Sequence, residues 1–143
     1  MPTTESTIDP ATVDELSAAF NRCFETFDAP AGLFTDDAFF DLYPPFWRFQ
    51  LRGPDAAAQQ LRTVAAGNTP SARILRVVPT TTGFVMEHEE HQGGERARRL
   101  WLCEVRDGRI ASATGYCNGG WDAELRARHA AEAPMLRSWD ETA

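Results

Sequence analysis

The chain contains no lysine; all 14 of its basic residues are arginine. That excludes Schiff-base chemistry on a lysine amine and attachment of pyridoxal phosphate through one. Cysteine is scarce too. Cys23, Cys103 and Cys117 are odd in number and far apart, which fits neither a disulfide framework nor a zinc motif. No apolar run approaches the length of a membrane span. The opening "MPTTESTIDP" has neither a basic flank nor the apolar stretch of a signal peptide. The expected compartment is the cytoplasm, with no membrane partner. Positive charge is short as well: the net charge is −7, and the densest basic cluster, Arg96, Arg98 and Arg99, is flanked by Glu95 and Glu104. Nucleic acid is therefore not an expected partner.

What is present describes an ordinary globular chain. Its 143 residues, 43% apolar and 24% charged, suffice for one domain around one core. Residues 1–10 are polar with two prolines and read as a flexible arm, leaving 11–143 as a single domain. From Ala11 onward Val13, Leu16, Phe20, Phe24 and Phe27 recur at helical spacing, with Thr12 as the predicted cap and Glu15 completing a capping box. "LFTDD" predicts a short turn of helix entering a strand, "AFFDLY". "PPFWRFQLRGP" reads as an aromatic loop, because prolines do not suit a central strand. "GPDAAAQQLRTVAAG" predicts a helix stopped at Gly67. Strands are predicted over Arg73–Thr82, Phe84–Gln92, Ala97–Arg106 and Arg109–Asn118. Residues 119–143 read as a helical tail interrupted at Pro134, with Trp121 and Trp139 available to cover a pocket or a partner subunit. Helices first and meandering strands afterwards indicate an α+β fold with a mostly antiparallel sheet.

This succession, "LFTDDAFFD", then "RGPDAAAQQL", then "EVRDGRIASATGY", resembles the nuclear transport factor 2-like superfamily over residues 13–118. That group includes ketosteroid isomerases, SnoaL-like polyketide cyclases, limonene epoxide hydrolases and scytalone dehydratases. The resemblance implies a cone-shaped roll, with N-terminal helices packed on a strongly curved sheet around a pocket. It implies no single chemistry, since members range from cofactor-free enzymes to binders. Carried over position by position, the isomerase general base falls on Leu42 and its acidic oxyanion donor near Trp101. The epoxide hydrolase tyrosine, asparagine and closing aspartate fall on Phe40, Leu42 and Gly115. The isomerase mechanism therefore lacks its residues here, the epoxide hydrolase mechanism keeps polar counterparts only in "EHEEH", and the resemblance to scytalone dehydratase is limited to a histidine of that same strand.

The stretch "MEHEEH", Met86–His91, carries three carboxylates and two imidazoles in six residues. On a strand, Phe84, Met86, His88 and Glu90 share one face, and Val85, Glu87, Glu89 and His91 the other. The two histidines then point oppositely, which disfavours a metal pair; no metal and no cofactor are expected. His88 is the first choice for a proton-transfer residue beside the pocket, with Glu90, Asp41 and Tyr43 as further acid–base candidates. Its alternative is a satisfied core histidine, whereas Glu89 and His91 read as solvated edge charges. Predicted pocket residues are Phe20 and Phe24 on the first helix, Phe40 and Leu42 on the first strand, and Trp47 and Arg48 in the aromatic loop. To these the later strands and tail add Met86, Trp101, Cys103, Cys117, Asn118 and Trp121. "RDG" allows two registers: a two-residue turn would pair Trp101 with Thr114, a three-residue loop with Ala113. The expected activity is acid–base catalysis of the cyclase, dehydratase or isomerase type on a small apolar, aromatic or polycyclic molecule. The alternative is a non-catalytic binding or sequestering protein. Leu100 and Leu102, opposite the pocket side, predict a homodimer through the outer sheet face.

Overall fold

The computed structural model of the chain describes residues 8–133 and 135–137. Residues 1–7 of the expected arm, Pro134, and 138–143 with Trp139 lie outside the described residues. Three helices pack with a six-stranded open sheet. Helix α1 spans Pro10–Thr26, and its cap is Asp9 rather than Thr12. The Asp9 carboxylate accepts from the Ala11 N–H at 3.0 Å, and Pro10, with no N–H of its own, fits the first turn.

The next segments depart from the sequence reading. Strand β1 runs Phe34–Tyr43 with no preceding turn of helix. Strand β2, Phe49–Arg52, lies within the stretch read as a loop. It pairs antiparallel with β1, Phe40 opposite Leu51, and forms the edge of the sheet. An edge strand needs partners on one side only, so it tolerates the prolines just upstream. Helix α2, Pro54–Ala65, ends with Ala66 in the left-handed region at φ 50°, one residue before the predicted Gly67 stop.

Strands β3 (Ser71–Pro79), β4 (Gly83–Gln92), β5 (Glu95–Arg106) and β6 (Arg109–Cys117) follow, then α3 (Ala123–Glu132). The sheet order is β2-β1-β6-β5-β4-β3. Neighbours pair antiparallel except β1 with β6, which run parallel. No helix among the described residues is long and apolar enough to cross a membrane.

The β5–β6 register is neither of the two predicted. Asp107 and Gly108, at φ 53° and 74°, form a two-residue turn with both centres left-handed, and Arg106 pairs with Arg109. Val105 then faces Ile110 while Glu104 faces Ser112, so Ala111 is an extra residue in β6. The bulge moves Trp101 opposite Gly115. It also leaves both Ile110 and Ala113 fully buried. A Cβ on Gly115 would lie 2.5 Å from the Trp101 ring, so the indole lies flat on bare backbone. The main core is the apolar side of α1 (Val13, Leu16, Phe20, Phe24) against Phe84, Met86, Trp101 and Cys103 on the inner sheet face. Each such side chain contributes roughly 1.5–3 kcal/mol by leaving water.

Candidate functional site

The inner face, α1 and α2 enclose an apolar pocket. Its walls are Phe20, Phe24 and Phe27 of the first helix and its exit, Phe34, Phe40 and Leu42 of β1, and Phe49 and Leu51 of β2. Ala57, Ala58, Leu61 and Val64 of α2 close one side, and Trp101 and Arg99 of β5 form the floor. The missed strand β2 therefore supplies part of the wall. Of the predicted pocket residues, Phe20, Phe24, Phe40, Leu42 and Trp101 line it. Strand alternation explains the two from β1, since Phe40 and Leu42 point inward and the residues between and after them do not.

His88 does not reach this pocket. It is fully buried behind the wall, its ring 4.6 Å from that of Phe24 and 6.5 Å from that of Trp101. Its two nitrogens are both engaged. Trp101 Nε1–H donates to His88 Nε2 at 3.0 Å. An indole N–H can only donate, so Nε2 carries no proton. Nδ1 lies 3.0 Å from Asn21 Oδ1, and Asn21 turns that oxygen toward it because its own Nδ2 donates to the Ala72 carbonyl at 3.1 Å. His88 is thus neutral with the proton on Nδ1. Burial, reinforced by the Arg99 charge, pulls its pKa from 6.5 down to about 3. His88 stands on the inner face with Phe84 and Met86, as strand alternation predicts. The expectation that it borders the pocket fails because Phe24 and Trp101 come between.

Arg99 lines the pocket, and its ion-pair partner Glu90 lies outside the lining. Arg99 Nε donates to Glu90 Oε2 at 2.7 Å, and the guanidinium carbon lies 5.8 Å from the Phe24 ring centre. Arg99 sits directly across the ladder from His88 and shares the inward face with Trp101. In the sequence Arg99 stands only as one of the densest basic cluster, Arg96, Arg98 and Arg99. Its parity with Trp101 and Cys103 was the available signal that it points inward.

The other acid–base candidates lie on the opposite side of the sheet from the pocket. Asp41 takes two hydrogen bonds from Arg48, both at 2.9 Å, and a longer one from Tyr43 at 3.5 Å. The Arg48 bonds, against some desolvation, hold its carboxyl below the usual range. Tyr43 stacks on Tyr116 with ring centres 4.9 Å apart, and Arg48 covers Tyr43. Asp41, Tyr43 and Arg48 thus form one outward ion-pair and stacking cluster and line no part of the pocket. Trp47 is exposed on its turn and lines no part of the pocket.

Met86 and Cys103 are buried in the core without reaching the pocket. The burial of Cys103 pushes its thiol pKa up. Cys23 does line the pocket, yet burial raises its pKa to about 11 and its Sγ contacts the Ala19 carbonyl at 3.3 Å, so it is an inert thiol. Cys117 accepts from the Gly119 N–H at 3.3 Å. Asn118 extends the β5–β6 ladder, its Oδ1 accepting from the Arg98 N–H at 2.8 Å. Trp121 pairs through its backbone with Arg96, and its indole donates to the Asn118 carbonyl at 3.1 Å, which ties the start of α3 to the sheet. These three are fastenings of the tail, away from the pocket.

Glu89 corrects the sequence reading most sharply. Read as a solvated charge, it is fully buried on the outer face. Arg96 at 2.8 Å and Arg98 at 3.0 Å clamp its two oxygens, and His91 Nε2 lies 2.8 Å away. Burial alone would raise its pKa, but hydrogen bonds from Arg96, Arg98 and His91 outweigh this and bring it to about 2.

No family model and no curated protein matches the chain. Solved structures do. An NTF2-like protein of unknown function from Mesorhizobium loti is 20% identical, with 82% of this chain and 100% of that one covered and a TM-score of 0.65. An LEH-like epoxide hydrolase of M. tuberculosis is 21% identical over 87% of this chain and 98% of that one, at a TM-score of 0.59. IdmH of Streptomyces antibioticus, a proposed polyketide cyclase, is 16% identical over 73% and 91%, at 0.61. At these identities the likeness is one of fold, and the chain has the nuclear transport factor 2-like fold, the cone architecture expected from its sequence.

Proposed function

We propose that the chain is a binding protein for a small, largely apolar, ring-containing molecule held between α1, α2 and the inner sheet face. One observation carries this reading: the pocket walls are apolar and aromatic, while the histidine best suited to proton transfer is neutral, hydrogen-bonded at both nitrogens and screened by Phe24 and Trp101. A pocket of that make-up favours burial of apolar surface. A general base needs its proton acceptor within reach of the substrate, and His88 is not.

An acid–base enzyme of the cyclase, dehydratase or isomerase type is the second reading. It is favoured by Arg99 on the pocket floor, with Glu90 hydrogen-bonded to it from outside the lining, and by likeness in fold to the epoxide hydrolase and IdmH. In that case turnover depends on Glu90 and survives His88→Gln.

Isothermal titration with small aromatic molecules tests the first reading. Ala57→Trp, at a half-buried pocket position, fills the space from α2. Binding should fall at least tenfold in this variant while the circular dichroism spectrum stays that of the parent. Unchanged affinity in Ala57→Trp would place the ligand elsewhere and remove the proposal.

The same proposal includes a homodimer through the outer sheet face. Val78, Val85, Leu102 and Thr114 stand directly opposite one another across four strands, and Leu100 and Tyr116 form the adjacent row. Leu102 is 43% exposed and Tyr116 52%, an apolar surface that pairing of two copies would cover.

A further inference from the structure

We infer that the pocket selects an anion: a molecule with an apolar ring body and one carboxylate, seated with the carboxylate on Arg99. This deepens the binding reading and rests on it. Among the described residues, Arg99 is the single cation lining the pocket, and the rest of the lining is apolar except for Asp28 and Gln60. Asp28 is largely exposed, within 3.5 Å of Arg62, and so is screened by water and by a cation of its own.

The guanidinium is held for use at one edge. Glu90, itself buried, takes Nε–H at 2.7 Å, and Phe24 covers the guanidinium face. Neither Nη amino group has a hydrogen-bond partner among the described residues. An arginine fixed through Nε keeps its Nη donors in a set plane, so less side-chain freedom is lost when a ligand binds. Arg99 Nη is not among the buried polar atoms left without a partner, so these donors are open to water and can exchange it for a ligand acceptor. A planar carboxylate offers two acceptors to such donors, and a neutral ligand of the same shape leaves the charge unmatched.

Glu90 offsets part of the Arg99 charge, so discrimination comes from directed hydrogen bonds more than from net field. That difference is on the order of ten- to a hundredfold for a hydrogen bond to a charged group.

The experiment uses the full chain and two probes of equal size, 2-naphthoate and 2-naphthamide, in isothermal titration at neutral pH. The parent should bind the acid at least about tenfold more tightly than the amide, consistent with a charge-assisted pair. Arg99→Gln should bring the acid down to the affinity of the amide, so that the preference between the two probes is lost. Removing Arg99 alone leaves Glu90 buried without its partner. The double variant Arg99→Gln with Glu90→Gln avoids that and should show the same loss of preference. Equal affinity for acid and amide in the parent overturns the anion inference while leaving the binding reading intact. So does a preference for the acid that persists in both variants. Absence of binding by either probe to millimolar concentration overturns both.

Discussion

His88 and Glu89 are chain neighbours on β4, both fully buried, and the sheet sends them to opposite faces. On the inner face a neutral imidazole sits between an indole and an amide. On the outer face a carboxylate sits under two guanidinium groups and an imidazole. Burial penalises charge in both places. Where the partners are a Trp N–H and an Asn carbonyl, the group gives up its charge. Where they are Arg96 and Arg98, the group keeps it. Depth alone therefore does not decide ionisation; the charge of the partner does.

The largest effect should come from breaking the charged half. Glu89→Ala leaves Arg96 and Arg98 side by side without the anion that draws them together. Loss of one partner from a buried ion pair costs about 3–5 kcal/mol, and the partial exposure of Arg98 puts the expected value near the low end, about 3 kcal/mol. Urea denaturation of the parent and variant measures it. A loss below about 1 kcal/mol would mean that the cluster behaves as a surface ion pair.

The neutral half should cost less. His88→Leu keeps volume but orphans the Trp101 N–H and the Asn21 carbonyl oxygen, for about 2 kcal/mol. His88→Gln can accept from Trp101 and donate to Asn21, so it should recover part of that loss. Equal destabilisation in the two variants would show that packing, not hydrogen bonding, holds His88.

Acid sharpens the contrast. The His88 pKa falls on folding from 6.5 to about 3, so in that interval the unfolded chain binds more protons than the native one. Stability therefore rises with pH; the contribution is complete above 6.5 and is lost as pH falls toward 3. The slope approaches about 1.4 kcal/mol per pH unit. The Glu89 contribution has the same sign but a lower window, complete above 4.5 and lost toward 2. Between pH 6 and pH 5, His88→Gln should flatten the stability profile and Glu89→Gln should not. A profile that flattens equally in both would assign the titration to some other group.

The sequence carried the inner half of this contrast and not the outer half. Alternation along β4 placed His88 beside Met86 correctly, because parity is independent of register. The distance from His88 to the pocket required the third dimension, namely that the rings of Phe24 and Trp101 fill the space between. Glu89 was misread although a signal existed. Gly93 and Gly94, at φ 57° and 82°, make a two-residue turn, and such a turn puts Glu89 across from Arg98. Reading the hairpin register, rather than one strand alone, would have found its partner. The helices and later strands were legible from periodicity. The Asp9 cap, the short edge strand β2 and the Ala111 bulge were not, since each is a local choice of few residues that only tertiary pairing selects. Arg99 was legible by parity with Trp101, a signal masked by its neighbours Arg96 and Arg98 in one basic cluster.

The smallest effect on the fold, and the one that reaches furthest along the outer face, belongs to Leu102. It stands between Val85 and Thr114 in the middle of the outer apolar row, half-exposed, with Cys103 and Trp101 turned inward on either side. In a lone chain, Leu102→Glu places a charge in water and should change stability by no more than about 0.5 kcal/mol. In a dimer paired through this face, the same carboxylate meets the apolar row of a second copy with no cation directly opposite it on its own strand neighbours. Burying it there disfavours association by far more than the change to the fold. Sedimentation equilibrium at micromolar concentration should therefore show a dimer for the parent and a species near 15.9 kDa for Leu102→Glu, with matching urea midpoints at dilutions where both are monomers. A parent that already sediments at 15.9 kDa would end the dimer proposal, and a Leu102→Glu variant that stays dimeric would move the interface off this face.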